Sequence, residues 1–112
     1  MTEVSKLADK LCKPCAGDMP PLAQPDINAL MLQLESWQQH DKLISKTYRF
    51  KDYYQTLAFV NAIAWLSHRE DHHPELTVNY NNCQVVYSTH AINGLSENDF
   101  ICAAKVDRLF GL

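Results

Sequence analysis

The proline at position 74 constrains this chain more than any other single residue. It closes a helix-compatible stretch and opens a strand-compatible one. Upstream, Tyr53, Leu57, Val60 and Ala64 fall on one helical line; Phe59, Ile63 and Leu66 fall on the next, with Trp65 beside them. The proline ring pushes His73 out of α geometry, so that helix has to stop before it. Downstream, Leu76, Val78 and Tyr80 alternate as a strand. Asn81-Asn82 reads as a turn, because Asn tolerates left-handed backbone, and residues 83–89 alternate back. His72 and His73 therefore lie in a helix-to-strand connection, and His90 leaves the far end of the return strand. Hairpin geometry alone brings these sequence-distant imidazoles to one end of the sheet.

The rest of the chain repeats the pattern. Pro25-Asp26 reads as a helix start with Asp26 as N-cap. Ile27, Leu30, Met31 and Leu34 give that helix one apolar stripe ending near Ser36. Residues 37–41 form a short strand, Asp41-Lys42 a tight turn, and Ile44, Lys46, Tyr48 and Phe50 alternate with Leu43, Ser45, Thr47 and Arg49 as its partner. Asp52 caps the helix over 53–69. Its apolar surface is broader than a single stripe, which fits either a central core helix or a helix that also meets another subunit. Ser96, with Asp99 three residues on, starts a last helix over 97–109, in which Phe100, Ala103, Ala104 and Val106 supply the apolar side and Gly111 follows the end. The predicted fold is α+β, a four-stranded antiparallel sheet with three helices packed on one face, in the order α-β-β-α-β-β-α. Residues 25–112 form a single domain. In the lead segment, residues 1–24, Pro14, Gly17, Pro20 and Pro21 break any long element, and loose packing is expected there.

Composition removes several functions. The 112 residues suit one domain with a real core. The net charge of −3, with Lys and Arg scattered, leaves no basic stripe for nucleic acid. No apolar run approaches the roughly 20 residues of a membrane span, and the N-terminus lacks a signal-peptide h-region. A cytoplasmic protein with reduced thiols is expected. Cys12 and Cys15 make a CxxC pair, but no second pair completes a zinc site and no βαβ context supports a thioredoxin-like role. A plain N-terminal segment is the simpler reading, with a metal or redox role as the alternative.

Of the five histidines, four lie between positions 68 and 90, which points to proton transfer near neutral pH. His68 and His72 are four apart, a spacing that puts both on one helix face. The zinc-protease HExxH pattern fails, since Arg69 rather than a glutamate follows His68. A metal site would need His73 or His90 as a further ligand. The bland alternative is a set of surface histidines, which accounts less well for four imidazoles at one hairpin end. Asp99 is either a helix cap or a carboxylate that orients an imidazole. Ser88 and Thr89 either end a strand or hold a polar ligand; neither has the context of a nucleophile.

His68, then His72-His73-Pro74, then Ser88-Thr89-His90 and Asp99, resemble the pterin-4a-carbinolamine dehydratases. Gly94-Leu95-Ser96-Glu97-Asn98-Asp99 resembles that family's helix start, and the resemblance covers roughly residues 26–110. The chain departs from the family pattern at His68, where many members have an acid, and at Leu76, where some have tryptophan. The resemblance implies a hydro-lyase. Such an enzyme removes water from 4a-hydroxytetrahydrobiopterin, the adduct left by aromatic amino-acid hydroxylases, and returns quinonoid dihydropterin. It also implies no cofactor, since the pterin is the substrate. His72, His73 and His90 would surround the pterin. His72 and His90 would act as acid and base, one for each face of C4a, while His73 binds and polarises; the roles of His72 and His73 can be exchanged. His68, Pro74, Ser88, Thr89, Ala91 and Ile92 would contact substrate, with Asp99 in support. Implied partners are a second or further copies, as a homodimer or homotetramer, and a functional link to phenylalanine hydroxylase, with no nucleic acid and no membrane. The rival implication is a non-catalytic dimerisation or assembly cofactor that binds another protein through the helix face of residues 53–66.

Overall fold

A computed structural model describes residues 7–14 and 17–111. Helix α1 (Gln24–Met31) leads to strands β1 (Gln38–His40) and β2 (Leu43–Arg49), then α2 (Tyr53–Glu70), β3 (Glu75–Val78), β4 (Asn82–Tyr87), a short 3-10 turn (His90–Ile92) and α3 (Glu97–Phe110). The strands form one antiparallel sheet in the order β1-β2-β4-β3. Over described residues 24–110, the α-β-β-α-β-β-α order and the four-stranded sheet with three helices are those the sequence predicts.

Strand alternation sends Ile44 and Tyr48 of β2, and Cys83, Val85 and Tyr87 of β4, into the core, where all are buried. Thr47, Arg49, Glu75, Thr77 and Gln84 stay exposed on the opposite, polar face. Helix α3 is the deepest element. The run Phe100, Ile101, Cys102, Ala103 and Ala104 is buried all round, and its small residues let α2 approach closely. Full burial of a large side chain such as Phe100 contributes about 1.5–3 kcal/mol. Asp52 caps α2 as expected, its carboxylate accepting the Gln55 N–H at 2.9 Å. Helix α2 buries Phe59 and Ile63 but leaves Tyr54 and Trp65 exposed, at 80% and 63%.

Four sequence expectations need correction. Ala23, not Asp26, is the N-cap of α1. Pro25 occupies the first turn, where its missing N–H has no partner to lose, and Asp26 sits beside it at the positive end of the helix dipole. That helix also stops at Met31 rather than near Ser36, which adopts a left-handed φ of 64°. In the second hairpin, β3 ends at Val78, so Tyr80 lies in the turn rather than the strand. The turn closes through the Asn79 N–H to the Asn82 carbonyl at 2.9 Å, and neither Asn81 nor Asn82 has a positive φ. Its carbonyls are held from outside: Asn81 accepts the Phe50 N–H at 2.8 Å and Tyr80 accepts the Thr56 hydroxyl at 3.1 Å. Finally, the lead segment is not loose where it is described. Leu7 and Ala8 are 1% and 2% exposed within the main core cluster. The Lys105 ammonium donates to the Ala8 carbonyl at 2.8 Å, tying the segment to α3. Cys15 lies outside the described residues, so the CxxC pair has no structural description.

Candidate active site

Asp71 ends α2 in a left-handed conformation, with φ of 54°. The His72 N–H still donates back to the Ser67 carbonyl, at 3.3 Å, and Pro74 then releases the chain into β3. Across the hairpin, Glu75 pairs with Val86, which sets His73 against the stretch that follows β4. Thr89 bridges to Gly94 and closes the loop that carries the 3-10 turn beginning at His90. The connection before β3 and the exit from β4 thus share one end of the sheet, as the sequence implies.

The centre of this end is the Asp99 carboxylate, which is 0% exposed. Its Oδ1 lies 2.6 Å from His72 Nε2. Its Oδ2 accepts the Thr89 hydroxyl at 2.8 Å and the Ser96 backbone N–H at 3.0 Å. Thr89 has only one hydroxyl proton, and Asp99 takes it, so the Ser96 hydroxyl donates to Thr89 Oγ1 across 2.8 Å. A carboxylate facing Nε2 holds the neutral His72 ring with its proton on Nε2 and its lone pair on Nδ1. The Tyr87 ring lies nearly parallel to that imidazole, 11° apart with centroids at 5.7 Å. Asp99 is therefore both helix cap and imidazole anchor, and the two sequence readings of it coexist.

In front of His72 is a cavity of about 550 Å³. His72, His73, His90, Ser88, Thr89 and Ala91 all line it. His73 and His90 are exposed, and together with Ser88 they also border a smaller concavity of about 210 Å³, completed by Lys42, Leu43, Glu75 and Val86. These two imidazoles stand on the ridge between both spaces.

Four predicted contacts lie outside the cavity lining. His68 is exposed and stacks on Trp65, at 5.7 Å and 29°. Its i, i+4 relation to His72 is broken because the helix ends at the left-handed Asp71 between them. Ile92 is 6% exposed and packs inward. Pro74 shapes the turn, and Asp99 sits behind His72. Among the described residues no three His, Cys, Asp or Glu side chains form a metal-binding group, and no helix is long and apolar enough to cross a membrane.

The sequence reading missed one wall of the cavity. Cys12, Lys13 and Pro14 form it, next to Arg69, Glu70, Asp71 and Asn98. The Cys12 N–H donates to Glu70 Oε1 at 2.9 Å, and Cys12 Sγ lies 3.4 Å from Cys102 Sγ. That thiol contact, burial and the nearby Glu70 charge push the Cys12 thiol well above the usual thiol range. Burial, with these thiols and Asp99 nearby, likewise raises the Tyr87 phenol, whose oxygen has no hydrogen-bond partner among the described residues. No local pattern announces this wall, because its partners are 58 to 90 residues away in sequence. Tyr87 was more accessible to prediction, as the inward-facing residue two before Thr89.

A sequence profile of the family described as Pterin 4 alpha carbinolamine dehydratase matches residues 20–109. A Nitrosospira multiformis protein provisionally named pterin-4-alpha-carbinolamine dehydratase is 65% identical over 97% of this chain and 96% of its own length. A Nitrosomonas europaea protein with the same provisional name is 63% identical over 98% of each chain. Among solved structures, a transcriptional coactivator/pterin dehydratase from Brucella melitensis superposes with a TM-score of 0.76 at 30% identity, covering 80% of this chain and 97% of that one. A pterin dehydratase-like protein identified as a RuBisCO assembly factor in the alpha-carboxysome superposes with a TM-score of 0.60, also at 30% identity, covering 69% and 92%.

Proposed function

The chain belongs to the pterin-4a-carbinolamine dehydratase family, and we propose from its site that it dehydrates a 4a-hydroxytetrahydropterin by histidine acid/base catalysis. The observation that carries this reading is the convergence of three imidazoles on one cavity, one of them anchored to a buried carboxylate. The reaction removes the N5 proton. The N5 electrons form the C4a=N5 bond, and the 4a-hydroxyl leaves as water after taking up a proton. Both transfers are within the range of imidazole near pH 7, so this chemistry needs no metal and no organic cofactor.

The geometry favours one division of labour. His72 has one nitrogen committed to Asp99 and its ring stacked on Tyr87, so it is the rigid group. We assign it to binding and polarising the pterin through its remaining nitrogen. His73 and His90 are exposed at the cavity, with no carboxylate bond among the described residues committing either ring, and we assign them the acid and base steps. The exchange of roles between His72 and His73 is thus the version adopted. Ser88, Thr89 and Ala91 supply polar and backbone contacts for the pterin ring. Recycling of a hydroxylase cofactor, with phenylalanine hydroxylase as the functional partner, is the corresponding physiological role.

The test is the dehydration rate of freshly generated 4a-hydroxytetrahydropterin with wild-type protein, His73→Ala and His90→Ala. Acceleration by wild type that falls about 100-fold or more in each variant supports the assignment, in line with the usual worth of a general acid or base. Absence of acceleration by a folded wild type removes it.

A second reading is favoured by one observation, the exposed Tyr54 and Trp65 of α2. An exposed aromatic face is suited to docking a second copy of this chain or another protein. The coactivator and assembly-factor neighbours give that reading a precedent. Sedimentation of wild type against a Tyr54→Ala, Trp65→Ala double variant tests it. An unchanged oligomeric state would exclude this face as the interface between copies.

A further inference from the structure

Two thiols meet behind one wall of the imidazole cavity. Cys12 is half-buried and lines that cavity, whereas Cys102 is 0% exposed on α3. Their sulfurs lie 3.4 Å apart, although 90 positions separate them in sequence. Both main chains are fixed. The Cys12 N–H donates to Glu70 Oε1 at 2.9 Å. The next residue, Lys13, is gripped by the Asn98 side chain, whose oxygen accepts the Lys13 N–H at 3.0 Å and whose nitrogen donates to the Lys13 carbonyl at 2.5 Å. Cys102 lies in the buried run of α3, three residues after Asp99. The Cys12 thiol also reaches the Asn98 carbonyl at 3.8 Å, a weak bond.

Cys83 supplies a contrast. It is as buried as Cys102, but its sulfur meets the adjacent Gln84 carbonyl at 3.9 Å rather than another thiol. For Cys12 and Cys102, a gap of 3.4 Å lies within the range of atoms held in position to react. A disulfide needs that gap to close to about 2.05 Å. One sulfur can be reached from the cavity and the other is sealed in the core. That is the arrangement of an attacking thiol and a resolving thiol.

We propose that Cys12 and Cys102 form an intramolecular disulfide when a low-molecular-weight disulfide enters the cavity, and that this cross-link latches the wall of residues 12–14 to α3. The Cys12 thiolate attacks one sulfur of the reagent, forming a mixed disulfide and releasing one thiol. The Cys102 thiolate then attacks the Cys12 sulfur, and the second thiol leaves. The pair gives up two protons and two electrons, and the reagent takes them as its S–S bond becomes two thiols. Contact with Cys102 and burial raise the Cys12 thiol, so attack is slow near pH 7 and the latch answers sustained oxidation rather than a brief pulse. The latch is independent of the dehydratase reading, since it uses none of the imidazoles.

The test exposes the full folded chain to 2-hydroxyethyl disulfide at about pH 8.5, where thiols are partly ionised. Thiol alkylation, a non-reducing peptide map and the Tm are the readouts. Wild type should lose two of its four thiols and yield a Cys12–Cys102 peptide. Its Tm should rise by roughly 10 °C, as expected for so long a closed loop, and fall back with dithiothreitol. Cys15→Ser should form the same cross-link. Cys102→Ser should stop at the mixed disulfide on Cys12 without the rise in Tm, and Cys12→Ser, altered at the half-buried partner, should form no cross-link to Cys102. A Cys12–Cys15 linkage with none to Cys102 would overturn the proposal. So would a mixed disulfide that persists in wild type, or a folded wild type that keeps all four thiols while the urea-unfolded chain reacts. A Cys12–Cys102 cross-link that leaves the Tm unchanged would overturn the latch.

Discussion

Two aspartates on α3 gather polar groups around themselves, and they do different things. Asp99 accepts from His72, Thr89 and the Ser96 backbone. Asp107, two turns on, accepts from the Trp37 indole at 3.2 Å, the Lys46 ammonium at 2.8 Å and the Tyr48 hydroxyl. Both are satisfied carboxylates on one helix. The Asp107 donors are an indole, an ammonium and a phenol, none of which changes charge near pH 7, and the surroundings are the packed rings of Trp37, Tyr48 and Phe59. The Asp99 donors include an imidazole, and that imidazole faces a cavity. The same residue type on the same helix thus serves as a structural tie at one end and as part of a proton-handling site at the other. The donor chemistry and the open space decide which.

Substitutions can separate the two. The largest effect expected is on catalysis at the Asp99 end. Asp99→Asn puts an N–H where an acceptor stood, reversing the tautomer of His72 and lowering dehydration about 10- to 100-fold, by analogy with other residues that orient an imidazole. Asp107→Asn is expected to leave the rate per folded molecule within twofold. If Asp107→Asn cost as much activity as Asp99→Asn, the contrast between the hubs would fail.

Stability narrows the contrast, because both carboxylates hold buried partners. Asp99→Ala strands the Thr89 hydroxyl and the Ser96 N–H in the core and is expected to cost about 3 kcal/mol by urea denaturation. Asp107→Asn leaves the Lys46 charge unpaired in a site where both side chains are below 20% exposed, and about 2 kcal/mol is expected. A negligible loss for Asp107→Asn would show that its short contacts carry little.

The Asp107 hub also has a pH signature. Burial, reinforced by the Asp107 charge, holds the Tyr48 phenol well above its ordinary value of 10.0. A group whose folded pKa is raised gives stability that is complete below its unfolded pKa and is lost as pH rises toward the folded one. Unfolding free energy should therefore decline above pH 10, with buried Tyr87 contributing in the same direction. Tyr48→Phe should cost about 1 kcal/mol at pH 8 and flatten part of that decline. An unchanged slope in Tyr48→Phe would place its origin elsewhere.

What the sequence disclosed follows the range of the interactions. The α2 cap at Asp52, the break at Pro74 and the pairing of β3 with β4 depend on neighbours in sequence, and they were readable. So was the meeting of His72, His73 and His90, which follows from one hairpin. His68 was misplaced because helical spacing holds only while the helix continues, and a left-handed Asp71 interrupts it. Asn81-Asn82 was assigned its turn for the wrong reason, since long-range bonds from Phe50 and Thr56 fix that loop. The Asp107 hub and the wall of residues 12–14 were invisible. Each joins residues more than 50 positions apart, and neither has a local periodicity to betray it.

The most direct measurement is the dehydration rate of freshly generated 4a-hydroxytetrahydropterin with wild type, His90→Ala and Asp107→Asn at matched folded fractions. The account predicts acceleration by wild type, retained in Asp107→Asn and reduced about 100-fold or more in His90→Ala. Equal acceleration by all three would contradict it, because the imidazoles at the cavity would then have no part in the chemistry.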